Sequence, residues 1–161
     1  IYESENKRLW SADLHKKVLW DSTSFKKAFP CLIYASQKTD IAFKTAVASK
    51  IISSGCQFVV CGGIEGEVWH DVIGDTILAA EMIGAHEPQT TIMTTCHTQD
   101  SLKELALFFI CSTFLPEEDN PQSFFEMRSV DYLALFVGDS AEKPELEANM
   151  CSYLKEENSS A

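Results

Sequence analysis

Four short apolar runs alternate along the chain with longer segments whose apolar residues recur every three or four positions. The runs lie at 31–36, 57–61, 90–96 and 131–137. The second run, 57–61, is apolar throughout its centre, the pattern of a strand buried on both faces in a parallel sheet. The periodic segments lie at 41–53, 67–83, 102–114 and from Pro144 to about 155; each reads as a helix, with one buried stripe in all but the third, which is apolar enough to be buried on two sides. In the second helix that stripe is Trp69, Val72, Ile73, Thr76, Ile77, Ala80 and Ile83. Strict β–α alternation with short connections predicts an α/β fold. The expected architecture is a small Rossmann-like three-layer α-β-α sandwich with a mainly parallel sheet of about four strands.

Local signals set the boundaries. Thr39 or Asp40 suits the cap of the first helix, and Gly55 its end. Asp100 or Ser101 suits the cap of the third, and Pro116 stops it. Pro144 fits the first turn of the last helix, with Glu145 near its positive end. Residues 1–29 read as an N-terminal helical arm packed on the domain, because Leu14, Val18 and Leu19 follow Trp10 at helical spacing. Residues 30–155 form the single α/β domain, and 156–161 read as a frayed tail.

Composition fits one globular domain: 161 residues, 45% of them hydrophobic, with no internal repeat. A chain of this length buries roughly 70% of its unfolded surface and folds without a disulfide or metal staple. No apolar run reaches the roughly 18 residues of a membrane-spanning helix. Five of the six cysteines sit in apolar strand or helix patterns, where Cys behaves as a small hydrophobe, and none forms a CxxC pair. They read as reduced thiols of a cytoplasmic protein. The net charge is −11. It argues against nucleic acid and anionic membrane as partners, since both require a positive face. The first 29 residues carry +2 and the remainder −13.

In such sheets ligands bind beyond the carboxyl ends of the strands. The loops there begin at Ser36, Cys61, Cys96 and Gly138. Gly62, Gly63 and Gly66 precede a helix, as in a phosphate cradle. Their order is GGxxG rather than GxGxxG, no Gly-Lys-Ser/Thr follows, and Glu65 and Glu67 would repel an anion. The glycines are better read as a turn with positive φ and close helix approach, so no cofactor is expected. Cys61 or Cys96 with His70 or His97, oriented by Asp71 or Asp100, has the residue types of a thiol hydrolase or transferase. The same Cys61, His70, Cys96 and His97 match no zinc-site spacing, and no metal is expected. Trp69 reads as a core anchor and His70 as a hydrogen-bonded edge residue.

The favoured reading is an acidic partner-binding protein, with the Cys/His enzyme as the alternative. Clustered negative charge hastens capture of a basic protein. An immunity or antitoxin protein that covers a basic toxin or nuclease is one biological form of this. The candidate binding residues are Glu65, Glu67, Trp69, Asp71, Asp100, Glu117, Glu118 and Asp119. The 102–114 helix is apolar on nearly all sides, which offers a homodimer contact through Leu107, Phe108, Cys111, Phe114 and Leu115 unless the arm or the last helix covers it.

Overall fold

The computed structural model describes residues 2–3, 7–14, 28–84, 92–113 and 130–159. In chain order the elements are β1 (Tyr2–Glu3), β2 (Lys7–Leu14), β3 (Phe29–Ala35), α1 (Ile41–Ser53), β4 (Cys56–Gly63), α2 (Gly66–Met82), β5 (Met93–His97), α3 (Leu102–Cys111), β6 (Val130–Val137) and α4 (Lys143–Ser159). The sheet order is β1-β2-β6-β3-β4-β5. Every neighbouring pair is parallel except β1 with β2. The fold is therefore the expected α/β sandwich, with six strands rather than four.

The two added strands come from the expected helical arm, and this corrects its assignment over the described residues. Lys7–Leu14 pairs along its whole length with β6, from Lys7 opposite Val130 to Leu14 opposite Val137. The reason lies in the spacing. Trp10 and Leu14 are four apart, which suits one face of a helix, but with Ala12 between them they also form one face of a strand. Trp10, Ala12 and Leu14 pack into one core and Leu9 into the other. Residues 15–27 of the expected arm lie outside the described residues. The tail expected to fray from 156 continues in α4 to Ser159.

Alternation along the central strands divides the interior in two. Cys31, Ile33, Ala35, Val59, Cys61, Leu133 and Leu135 face a core closed by Val47, Ile51, Trp69 and Ile73 of α1 and α2. Leu32, Tyr34, Phe58, Val60, Ala134 and Phe136 face the opposite core, closed by Leu105 and Phe109 of α3 and by Leu146, Met150 and Leu154 of α4. Each fully buried Leu, Ile or Phe contributes about 1.5–3 kcal/mol from removal of apolar surface from water. Burial on both sheet faces is why these strands read as continuous apolar runs.

The caps resolve as side chains meeting helix amides. Asp40 accepts from the Phe43 amide at 2.7 Å. Ser101 and Glu104 form a reciprocal capping box at the start of α3. Hydrogen bonds from Ser101, first from its side chain and then from its backbone, lower the Glu104 pKa. Of the expected apolar surplus of α3, Phe108 packs against Phe58 and His97 and Cys111 is half-buried, so that Leu107 alone of Leu107, Phe108 and Cys111 is exposed. Phe114 and Leu115 lie outside the described residues. The stripe of α2 is buried at Trp69, Val72 and Ile73, but Ile83 is 79% exposed, contrary to its expected burial.

Candidate functional site

Two places on this frame deserve comparison: the carboxyl rim of the sheet and the outer face of α2. At the rim, adjacent strands send their chains to opposite faces twice. β3 leads to α1 while β6 leads to α4, and β4 leads to α2 while β5 leads to α3. Crevices open at such points in doubly wound sheets.

The first of them is filled. A Cβ at Gly138 would lie 2.4 Å from Gln37 Cγ, so the Gln37 side chain occupies the space above the strand ends. Beside it lies a shallow pocket of about 460 Å³, lined by Asp13, Gly138, Asp139, Ser140, Ala141 and Lys143. Its one cation, Lys143, is held 2.6 Å from Asp13 and 3.9 Å from Glu147, above the Phe136 ring. Tyr34 donates to Glu142 nearby. The single cation there is already engaged by carboxylates of the chain, which leaves no free positive charge for an anionic ligand among the lining residues.

The second crevice holds the residues expected to carry chemistry, and the sheet divides them. Cys61 stands opposite Cys96 in register, and Gly62 opposite His97. Because His97 belongs to β5 and not to the loop after it, Cys96 and His97 point to opposite faces. His97 Nδ1 lies 2.6 Å from Asp100 Oδ2 and its ring packs 4.2 Å from that of Phe108, while its Nε2 is buried without a hydrogen-bond partner. His70 serves the other face, with Nε2 3.1 Å from Thr94 Oγ1 and Nδ1 3.5 Å from Asp71. Cys61 is fully buried, and burial pushes its thiol far up, away from a nucleophile's range. Cys96 is exposed. Among the described residues no thiol hydrogen-bonds either histidine, and no group of three His, Cys, Asp or Glu side chains is placed to hold a metal ion.

The glycines are explained by packing. Gly63 has φ +81°, and a Cβ there would sit 2.3 Å from the Ala35 carbonyl oxygen. Gly62 makes room for Leu105, and Gly66 for Thr98. Two residues expected to bind a partner are likewise interior and are corrected: Trp69 is 0% exposed and Glu65 is 7% exposed. Glu65 pairs with the buried Lys44 at 2.8 Å and accepts from the Thr39 amide at 3.0 Å. Lys44 also donates to the Thr39 carbonyl at 2.6 Å and lies over the Trp69 ring. This cluster clamps the loop after β3 to the turn after β4. It is a structural joint, inaccessible to a partner.

The outer face of α2 is the contrasting surface. Of the eight large apolar side chains exposed among the described residues, five lie on α2 or within two residues of its ends: Ile64, Val68, Leu78, Met82 and Ile83. Glu67, Asp71, Asp75 and Glu81 are exposed among them. The helix contains no Lys or Arg. Positions 64, 68, 71, 75, 78 and 82 advance by four and three, so they line one face of the helix, opposite the stripe that meets the sheet. Glu67 and Asp71 were legible as candidates. Asp75, Glu81, Val68, Leu78 and Met82 were not. The readable signal was the absence of any basic residue from 66 to 82, together with apolar residues left off the buried stripe. Asp100 is exposed but engaged by His97. Glu117, Glu118 and Asp119 lie outside the described residues.

The family model of a domain of unknown function, DUF7684, matches residues 11–152. The chain belongs to this family. The match begins within β2 and ends within α4, so the DUF7684 domain includes both candidate regions. No curated protein and no solved structure matches the chain. Among the described residues, no helix is long and apolar enough to cross a membrane.

Proposed function

We propose that this DUF7684 protein is a partner-binding protein that captures a basic polypeptide through an acidic, partly apolar surface. The observation that carries the reading is the outer face of α2, where four carboxylates and no cation surround exposed Val68, Leu78 and Met82. Apolar groups supply the contact area and the carboxylates supply attraction and register. The other helices do not repeat this composition: α1 bears only lysines as charged residues, and α3 and α4 mix the two signs. An immunity or antitoxin role, in which the acidic face covers a basic toxin or nuclease, is the biological form that suits this chemistry. A reducing, cytoplasmic setting is supported by the cysteines, all six of which are free.

The test is retention on the immobilised protein from an extract of its host at about 50 mM salt, followed by a salt gradient. A basic polypeptide held at low salt and released as salt rises is the expected result. Retention of no basic polypeptide, or release indifferent to salt, overturns the reading.

A further inference from the structure

Gly74 sits in the middle of α2, five residues after the buried Trp69, and it is exposed. Glycine in a helix interior costs about 1 kcal/mol relative to alanine. At three other glycines of this protein a reason is visible within the chain: a positive φ at Gly63, and neighbouring side chains at Gly62 and Gly66. Gly74 has neither. Its φ is not positive, and a Cβ built there meets nothing within 4 Å. Folding of this chain therefore gains nothing from the missing side chain. What remains is its effect on the outside, where it lowers the helix surface and lets another backbone come close.

The surroundings of Gly74 define what could come close. Glu67, Asp71, Gly74, Leu78 and Glu81 advance by four and three along one row, and Val68, Asp75 and Met82 lie on the adjacent row. Around the helix axis Glu81 and Gly74 lie at one edge of this face and Val68 at the other, and between them Glu67, Asp71 and Asp75 alternate with Leu78 and Met82. A second copy of this chain would bring Asp71 and Asp75 against their own like charges, which is unfavourable. A surface of complementary design has an apolar stripe flanked by Lys and Arg, at helical spacing.

We infer that the outer face of α2 docks an amphipathic basic helix of a partner protein, whose backbone passes over Gly74 while its Lys and Arg side chains meet Glu67, Asp71, Asp75 and Glu81. This rests on the partner-binding reading and adds the class of partner element and the point of closest approach. Val68, Leu78 and Met82 then contact the apolar stripe of the incoming helix.

The experiment uses the full chain and two fluorescent peptides of about 18 residues, long enough to form five turns. One is an amphipathic Lys/Leu helix; the other has the same composition in scrambled order and cannot form an apolar stripe. Anisotropy is read at about 50 mM and about 300 mM salt. The amphipathic peptide should bind and the scrambled one should bind at least about tenfold more weakly. Gly74→Leu should weaken binding of the amphipathic peptide by about tenfold, through steric exclusion, with its salt dependence unchanged. Asp71→Asn with Asp75→Asn should weaken it about threefold or more and flatten the salt dependence. Asp139→Asn, which removes a carboxylate from the loop after β6 and not from α2, should leave it unchanged. Thermal melting confirms that each variant is folded.

Equal binding of the two peptides, or full binding by folded Gly74→Leu, overturns the docked helix while leaving an acidic partner surface in place. Binding of neither peptide at low salt overturns both. Self-association of the chain that Gly74→Leu abolishes would assign the face to a second copy and overturn the inference.

Discussion

Cys61 and Cys96 stand opposite each other on β4 and β5, yet one is enclosed beneath α2 and the other is open to solvent. Thiol chemistry requires the thiolate and a path to it. Burial pushes Cys56 up to about 12 and raises Cys31 and Cys61 well above the ordinary thiol value. Cys111 and Cys151 are half-buried, and burial raises both. With a mild alkylating agent at about pH 8, Cys96 should be the first site modified. Cys31, Cys56 and Cys61 should stay unmodified until the protein is unfolded, and site-resolved mass spectrometry reads the order. Rapid modification of Cys61 in the folded state would contradict its placement. The residue types of a thiol site were legible in the sequence, but their separation was not. It follows from one fact that sequence leaves open, that β5 continues through His97, and this turns Cys96 and His97 to opposite faces.

At the scale of elements, the strands buried on both faces announced themselves, because a continuous apolar run has few other uses in a short segment. β2 did not. Lys7, Arg8, Ser11 and Asp13 interrupt it, and the Trp10–Leu14 spacing serves helix and strand alike. Its Arg8 forms two hydrogen bonds with Asp131 of β6, at 2.6 and 2.7 Å, which joins the strands through their polar residues. The joint between α1 and the β4–α2 turn was also illegible, since Lys44 and Glu65 read as surface charges until the fold buries both. Lys44→Met should cost about 3–5 kcal/mol in urea unfolding, because it leaves Glu65 enclosed without its cation. Lys44→Met combined with Glu65→Leu should recover much of that loss. A single variant no less stable than wild type would contradict the buried pair.

Two glycines of the same stretch should respond in opposite senses. Gly63→Ala forces an L side chain onto positive φ and against the Ala35 carbonyl oxygen, and should destabilise by about 2 kcal/mol or more. Gly74→Ala adds a methyl group in open space within a helix and should stabilise by about 0.5–1 kcal/mol. Equilibrium unfolding measures both. Loss of stability on Gly74→Ala would show that the chain itself uses the gap.

For the whole molecule, the −11 net charge is less informative than its distribution. Many carboxylates are engaged within the fold: Asp131 with Arg8, Asp13 with Lys143, Glu65 with Lys44 and Glu104 with Ser101. Those on α2 are turned outward beside exposed apolar groups, and no cation of α2 offsets them. Sequence composition suggests the sign of the proposed partner but not the surface, because a charge count does not separate paired carboxylates from presented ones. The central claim is that α2 presents its carboxylates to a basic partner. The most direct measurement is carboxyl footprinting of the protein alone and in complex with the basic polypeptide it retains, read residue by residue by mass spectrometry. Labelling of Glu67, Asp71, Asp75 and Glu81 should fall in the complex, while labelling of Asp139 and Glu145 stays unchanged. Unchanged labelling along α2, with protection elsewhere, would contradict the account.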